Sequence, residues 1–234
     1  MNDYLLLFLV LGSSMAGSVA AKKLTLWAAL TGGVIGFFIY QGAGFTGIVL
    51  LAGFFLLGTL ATSWKLEFKE KERLAERDRG KRKPSQVLAN GGIAAILGLI
   101  IWMYPHLSSL LRLMMAGSLS AAAADTLSSE LGMVYGKRFY NIKNLRRDRK
   151  GLDGVISLEG TLCGMGGSAI IACIYSIGFG WSVDFLWIIV AGTIGNLVDS
   201  FLGATLERKG IIKNDTVNFL NTLSGALVAM VLGG

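Results

Sequence analysis

Residues 48–102 read IVLLAGFFLLGTLATSWKLEFKEKERLAERDRGKRKPSQVLANGGIAAILGLIIW. Two uncharged runs flank residues 65–83, which hold nine lysines and arginines. Each run is close to the roughly 20 residues that a helix needs to cross the hydrocarbon core of a bilayer. The stretch therefore reads as two transmembrane helices joined by a strongly basic loop, and the rest of the chain repeats the pattern.

Of 22 lysines and arginines, 21 lie in four such segments: residues 22–23, 65–83, 137–150 and 208–213. Arg112 alone stands apart. Basic residues collect on the cytoplasmic side of membrane proteins, so one pattern orients every span. The apolar runs fall at about 4–20, 24–41, 44–64, 86–104, 108–134, 156–177, 183–206 and 216–233. The expected fold is an all-α polytopic transmembrane bundle of eight spans, with both termini outside. The first two runs are short; tilted or partly re-entrant, they would leave seven spans.

Composition agrees: the chain is 53% hydrophobic with 32 glycines, two prolines and a net charge of +7, and its mean hydropathy is +0.60. That excess of apolar sequence excludes a water-soluble domain of this length. The positive charge reads as topology and attraction to anionic headgroups rather than to nucleic acid. The apolar start lacks a basic region ahead of it, which makes it a retained first span. Cys163 and Cys173 lie inside one apolar run without a CxxC pattern and read as small core residues. The chain divides into a three-span segment (1–64), a charged cytoplasmic loop (65–85) and a five-span catalytic core (86–234). Within the loop, charges at i, i+4 such as Glu67 and Lys71 predict a solvated helical extension ending near Gly80 and Pro84; Lys81, Arg82 and Lys83 are its candidate phosphate contacts. Gly32 with Gly36, and Gly160 with Gly164, have the four-residue spacing that lets helices approach closely in lipid. Such faces also permit a homodimer.

Carboxylates inside apolar runs carry the functional signal. An acidic residue at the centre of a span costs about 2.5–3.5 kcal/mol on insertion scales. Asp125, Glu130, Glu159 and Asp199 all interrupt apolar sequence, in the halves of their spans nearest the basic loops. Small and polar residues accompany them: Ser129 one turn from Asp125; Ser157 beside Glu159; Asn196 and Ser200 around Asp199; Asn214 and Asn218 opening the last span; Asn90 with Gln86 opening the fourth. Five helices thus bring polar faces to one depth. The one histidine, His106, falls on the opposite side. A carboxylate, hydroxyl and amide set without histidine suits a hard cation, Mg²⁺ rather than Zn²⁺. With lysines and arginines close by, it points to metal-assisted transfer on a nucleotide or pyrophosphate.

QVLANGG, ADTLSSELG, GVISLEGT, NLVDSFLGATLE and NDTVNFLNTLSGAL, in that order over residues 84–228, resemble the integral-membrane family that includes plant phytyl-phosphate kinase and its bacterial and archaeal relatives. The layout from Asp125 through Gly136–Lys137, Glu159–Gly160 and Asp199–Ser200 to Asn214–Asp215 is distantly similar to dolichol kinases and phosphatidate cytidylyltransferases. The resemblance implies CTP, or another nucleoside triphosphate, as co-substrate with Mg²⁺ at the cytoplasmic face of a prokaryotic plasma membrane. It implies an isoprenoid lipid monophosphate as acceptor and a lipid diphosphate as product. Asp125 and Asp199 would hold the metal with Glu130 or Glu159, and Lys137 with Arg146 or Arg147 would neutralise the triphosphate. Ser129, Ser157, Ser200, Asn90, Asn196, Asn214 and Asn218 would position phosphates or ribose. The paired lysines that the cytidylyltransferases carry before their Glu-Gly are missing; Ile156 and Ser157 stand there. A lipid-alcohol kinase or a cytidylyltransferase is the alternative within this chemistry. A transporter or lipid flippase is the alternative outside it, since carboxylates in spans also mark ion pathways.

Overall fold

The computed structural model describes residues 3–75 and 80–234. The chain is helical, in the order α1 (Asp3–Ala20), α2 (Leu26–Ser63), α3 (Leu66–Lys71), α4 (Pro84–Met103), α5 (Ser108–Tyr135), α6 (Leu158–Phe179), α7 (Asp184–Leu202) and α8 (Asn214–Gly233). A 3₁₀ turn (Pro105–Leu107) precedes α5, and a π-helical turn (Gly203–Glu207) extends α7. Between α5 and α6, β1 (Tyr140–Asn141) pairs antiparallel with β2 (Val155–Ile156).

Among the described residues, seven helices are long and apolar enough to cross a membrane. One of them, α2, would extend about 57 Å if straight, nearly twice the hydrocarbon thickness. It is folded back on itself at Gly44, whose φ of 60° and ψ of −151° belong to a region open in practice only to glycine. The reversal brings the two ends together: Lys23 Nζ donates to Ser63 Oγ at 2.8 Å, and Phe55 packs on Leu24, Ala28 and Ala29. The two arms, 26–43 and 45–63, are the second and third expected spans, with the break where the sequence placed it.

The remaining helices wrap around α5. Its residues from Leu113 to Ala124 are all buried, and it packs against α2, α4, α6, α7 and α8. Alanine, glycine and serine make this possible, because five neighbours can reach a helix only where its side chains are short. At Gly160 and Gly164 a Cβ would lie 2.7 Å from the Ser128 and Ala124 carbonyls of α5, so the two glycines let α6 settle against it. Ile39, Leu50 and Phe54 of α2 join Leu97, Met115, Leu119, Ile171 and Ile188 in one core. The N-terminal hairpin is thereby built into the same bundle as the later helices. Outward side chains such as Trp27, Leu60, Leu162, Ile177 and Val231 are exposed and apolar, as a lipid-facing surface requires.

The two ends differ. At one, Arg82 N–H donates to the Lys23 carbonyl, Lys69 pairs with Glu130, Lys150 with Glu72 and Arg208 with Asp148. All four basic segments therefore meet there. At the other end Tyr4 stacks on Tyr40 and Trp181 on Phe185, the aromatic residues of a membrane boundary. Arg112, the exception in the charge pattern, sits at that end, donating to the Gly42 carbonyl and lying over the Phe179 ring.

The loop after α2 departs from expectation. Its helix is α3, which stops at Lys71 rather than near Gly80; residues 76–79 of the expected extension lie outside the described residues. Nor is it wholly solvated. A left-handed Lys65 (φ 47°) turns α3 back so that Lys69 is fully buried. A buried ammonium needs acceptors, and this one has three: Glu130 and the Ala61 and Thr62 carbonyls.

Candidate active site at the basic end

A cavity of about 270 Å³ opens among α4, α5, α7, α8 and the loop leading into α6. The sequence explains how each element reaches it. Pro84 starts α4, with Gln86 Oε1 accepting from the Lys83 N–H, so Gln86 and Asn90 share the first two turns. Ser157 caps α6 by accepting from the Gly160 N–H at 3.1 Å, which places Ser157 at the cavity edge. Asp125 and Ser129, one turn apart on α5, face Asp199 and Ser200 on α7, and Asn214 and Asn218 close the side formed by α8. Asn218 donates to Asn214 at 3.3 Å.

At the centre, the carboxyls of Asp125 and Asp199 lie on the same cavity wall, close enough for their charges to interact. The Asp199 Oδ2 atom is buried and has no hydrogen-bond partner. A buried carboxylate oxygen without a donor is costly, so the pair is poised for a proton or a cation. Two more carboxylates, Asp153 and Glu207, line the same space, with Asn214 on its wall as well. Among the described lining residues Arg82 is the one cation. Its guanidinium lies 5.3 Å from the Phe54 ring centroid and 5.5 Å from that of Phe55.

Of the residues named from sequence, Asp125, Asp199, Ser129, Ser157, Ser200, Asn90, Asn214 and Asn218 come together on this cavity. Glu130 also borders it, but its Oε2 atom is engaged by buried Lys69. That ion pair clamps α3 to α5. Among the described residues no three acidic, histidine or cysteine side chains are grouped closely enough to hold a metal by themselves. Glu159 does not line the cavity; it accepts from the Lys137 N–H at 3.3 Å and so ties the loop after α5 to the first turn of α6. Lys137, Arg146 and Arg147 are exposed in the loop and do not line the cavity. Asn196 is buried on the seam between α6 and α7, near Gly164.

Sequence reasoning missed Asp153 and Glu207 as cavity residues. Glu207 ends the NLVDSFLGATLE motif, eight residues on, which α-helical spacing leaves about 80° round the helix from Asp199. The π turn changes the rotation per residue, and such turns recur at functional sites. Asp153 had no such signal: it lies in a loop held by Arg208, whose Nε donates to the Asp153 carbonyl.

Known proteins resemble the chain over most of its length. An uncharacterized membrane protein of Methanocaldococcus jannaschii is 34% identical over 199 residues, 85% of this chain and 81% of that protein. The chloroplastic protein VTE6 of Arabidopsis thaliana is 32% identical over 231 residues, 96% of this chain, which spans 66% of the plant protein's length. An uncharacterized membrane protein of Synechocystis is 31% identical, across 93% of this chain and 85% of its own. No solved structure matches. The model of the family described as integral membrane protein DUF92 matches residues 9–226, and the chain belongs to that family.

Proposed function

We propose that this member of the DUF92 integral membrane family is a lipid-monophosphate kinase. In this reading it transfers the terminal phosphoryl group of a nucleoside triphosphate, CTP by the family resemblance, to an isoprenoid monophosphate at the cytoplasmic face. The observation that carries the reading is the Asp125–Asp199 pair with its unpartnered Oδ2 atom. Five carboxylates, of which Glu130 is paired with Lys69, and Arg82 line the same space, and an anionic phosphate would be repelled from it without a counter-cation. Mg²⁺ fits this chain's donors: it is commonly held by one or two carboxylates, with substrate phosphates and water completing the shell. Bound there, it would neutralise charge on the phosphates during transfer.

The protein's own residues would do the positioning. Asp125 and Asp199 would hold the metal. Ser129, Ser200, Asn214 and Asn218 offer hydroxyl and amide donors around the phosphates, and Gln86 and Asn90 do so from α4. Arg82 would meet the acceptor phosphate. That phosphate, with a second pKa near about 6, is already largely ionised at neutral pH. No general base is required to start the attack, in keeping with a cavity wall that holds no histidine. The oxygen of the acceptor phosphate bonds to the γ-phosphorus, the bond to the bridging β-oxygen breaks, and nucleoside diphosphate leaves.

The test supplies purified protein with geranylgeranyl monophosphate, Mg²⁺ and CTP or ATP in turn, and measures lipid diphosphate and nucleotide products together. Lipid diphosphate with equimolar nucleoside diphosphate is the expected result. Pyrophosphate release would instead establish nucleotidyl transfer, and absence of any turnover would reject the kinase.

A further inference from the structure

A second, largely apolar cavity of about 490 Å³ lies between α1, both arms of α2 and the start of α4. Its walls include Leu11, Met15, Gly32, Ile48, Leu51 and Phe55. It shares three lining residues with the carboxylate cavity: Arg82, Gln86 and Asn90. An apolar groove and a polar, acidic cavity thus meet at one guanidinium.

From this continuity we infer that the N-terminal hairpin and α1 form the tail-binding groove for a phosphorylated isoprenoid lipid, whose phosphate lies at Arg82. The inference rests on the lipid-phosphate reading of the adjoining cavity. Three features support it. The volume is within the range of about 300–1,000 Å³ typical of small-molecule sites. From Thr59 at the basic end to Ile48 the groove follows the second arm of α2 for about 16 Å, roughly half the hydrocarbon thickness. That matches a chain that enters from headgroup level and ends near the bilayer centre.

The third feature is how Arg82 is held. Its N–H donates to the Lys23 carbonyl, and its carbonyl accepts from the Thr25 N–H. Its guanidinium rests on Phe54 and Phe55, over Gly58, where a Cβ would strike Nη2. Backbone and side chain are both fixed at the mouth, so a phosphate meets a preorganised charge rather than a mobile one. The first three spans, which carry no chemical motif, acquire a role as the part that recognises the acceptor's hydrocarbon.

The experiment uses the full chain in nanodiscs with an isoprenyl monophosphate bearing a terminal diazirine, followed by mapping of the cross-linked peptides. Adducts are expected within 11–33 and 48–59, displaced by excess geranylgeranyl monophosphate but poorly by geranylgeraniol or inorganic phosphate. Arg82→Gln should weaken the labelling by about tenfold or more, the worth of one charge-assisted phosphate contact. Gly17→Phe and Gly32→Phe should also weaken it, because a Cβ at Gly17 meets nothing within 4 Å and one at Gly32 meets only Val87 at 3.9 Å. Adducts on other faces, equal displacement by the alcohol, or indifference to both phenylalanines would overturn the groove. Because the readout is binding, wild-type protein that labels as expected yet transfers no phosphate would reject the kinase reading while leaving the groove standing.

Discussion

Asp125 on α5 and Asp199 on α7 face one cavity, close enough for their two carboxyl charges to interact. Two carboxylates repel at this range unless a proton or a cation lies between them. The bundle nevertheless holds them together, with Gly160 and Gly164 drawing α6 against α5 beside them. Such an arrangement favours a ligand over stability.

Asp125→Asn and Asp199→Asn should each lower phosphoryl transfer by more than about a hundredfold, the upper end of losses when the surroundings of a metal are disturbed. Each amide relieves the repulsion, so thermal stability without Mg²⁺ should hold or rise. Thermal unfolding with and without Mg²⁺ checks this: wild type should gain stability from the ion and the variants should not. A variant stabilised as much as wild type would remove that residue from the metal site.

Lys69 and Glu130 form a buried ion pair. Removing one member leaves the other charged and unpaired, at a cost of about 3–5 kcal/mol. Lys69→Met and Glu130→Met should therefore each destabilise the protein strongly. Lys69→Met combined with Glu130→Met should recover most of the loss. Denaturant unfolding of the singles and the double, as a mutant cycle, measures the coupling; additive losses would mean that the pair is not the clamp between α3 and α5.

Gly44→Ala isolates a backbone effect. A Cβ there meets nothing within 4 Å, yet the conformation at φ 60°, ψ −151° should cost an alanine about 1–3 kcal/mol. The loss should appear as lower thermal stability with the cavity residues untouched. Gly98→Ala should do worse, because its Cβ would strike the Phe38 carbonyl.

Asp148 lies in the loop between α5 and α6, and its hydrogen bond from Arg208 holds its carboxyl below the usual aspartate range, helped by the Arg149 N–H and Asn141. A lowered folded-state value means that the contact's contribution is complete above the ordinary aspartate pKa. It is lost as pH falls through the depressed one. Amide exchange around residues 139–148 should accelerate only in that acid range. Arg208→Gln should move the transition up toward the ordinary aspartate value.

Much of the architecture could be read from the chain. Span number, the break near Gly44 and the collection of the basic loops at one end follow from hydropathy and charge, which act locally and add along the sequence. The depth of the polar faces was also legible, since a carboxylate's distance from a span's end is counted in residues. That depth is why Asp125, Asp199 and their serine and asparagine neighbours were found.

The sequence alone thus determined how the chain crosses a membrane and which level of it carries polar chemistry. Only the tertiary structure decided which polar groups meet. Glu130 is at the right depth but is taken by Lys69, Asn196 is turned into a helix seam, and Glu207 is brought in by a π turn. Arg82 stands where two cavities join because a hairpin folded at Gly44 carries Phe54 and Phe55 beneath it. Depth is set by position along a helix, but contact depends on the rotation and approach of its neighbours, and those emerge only when all the helices pack together.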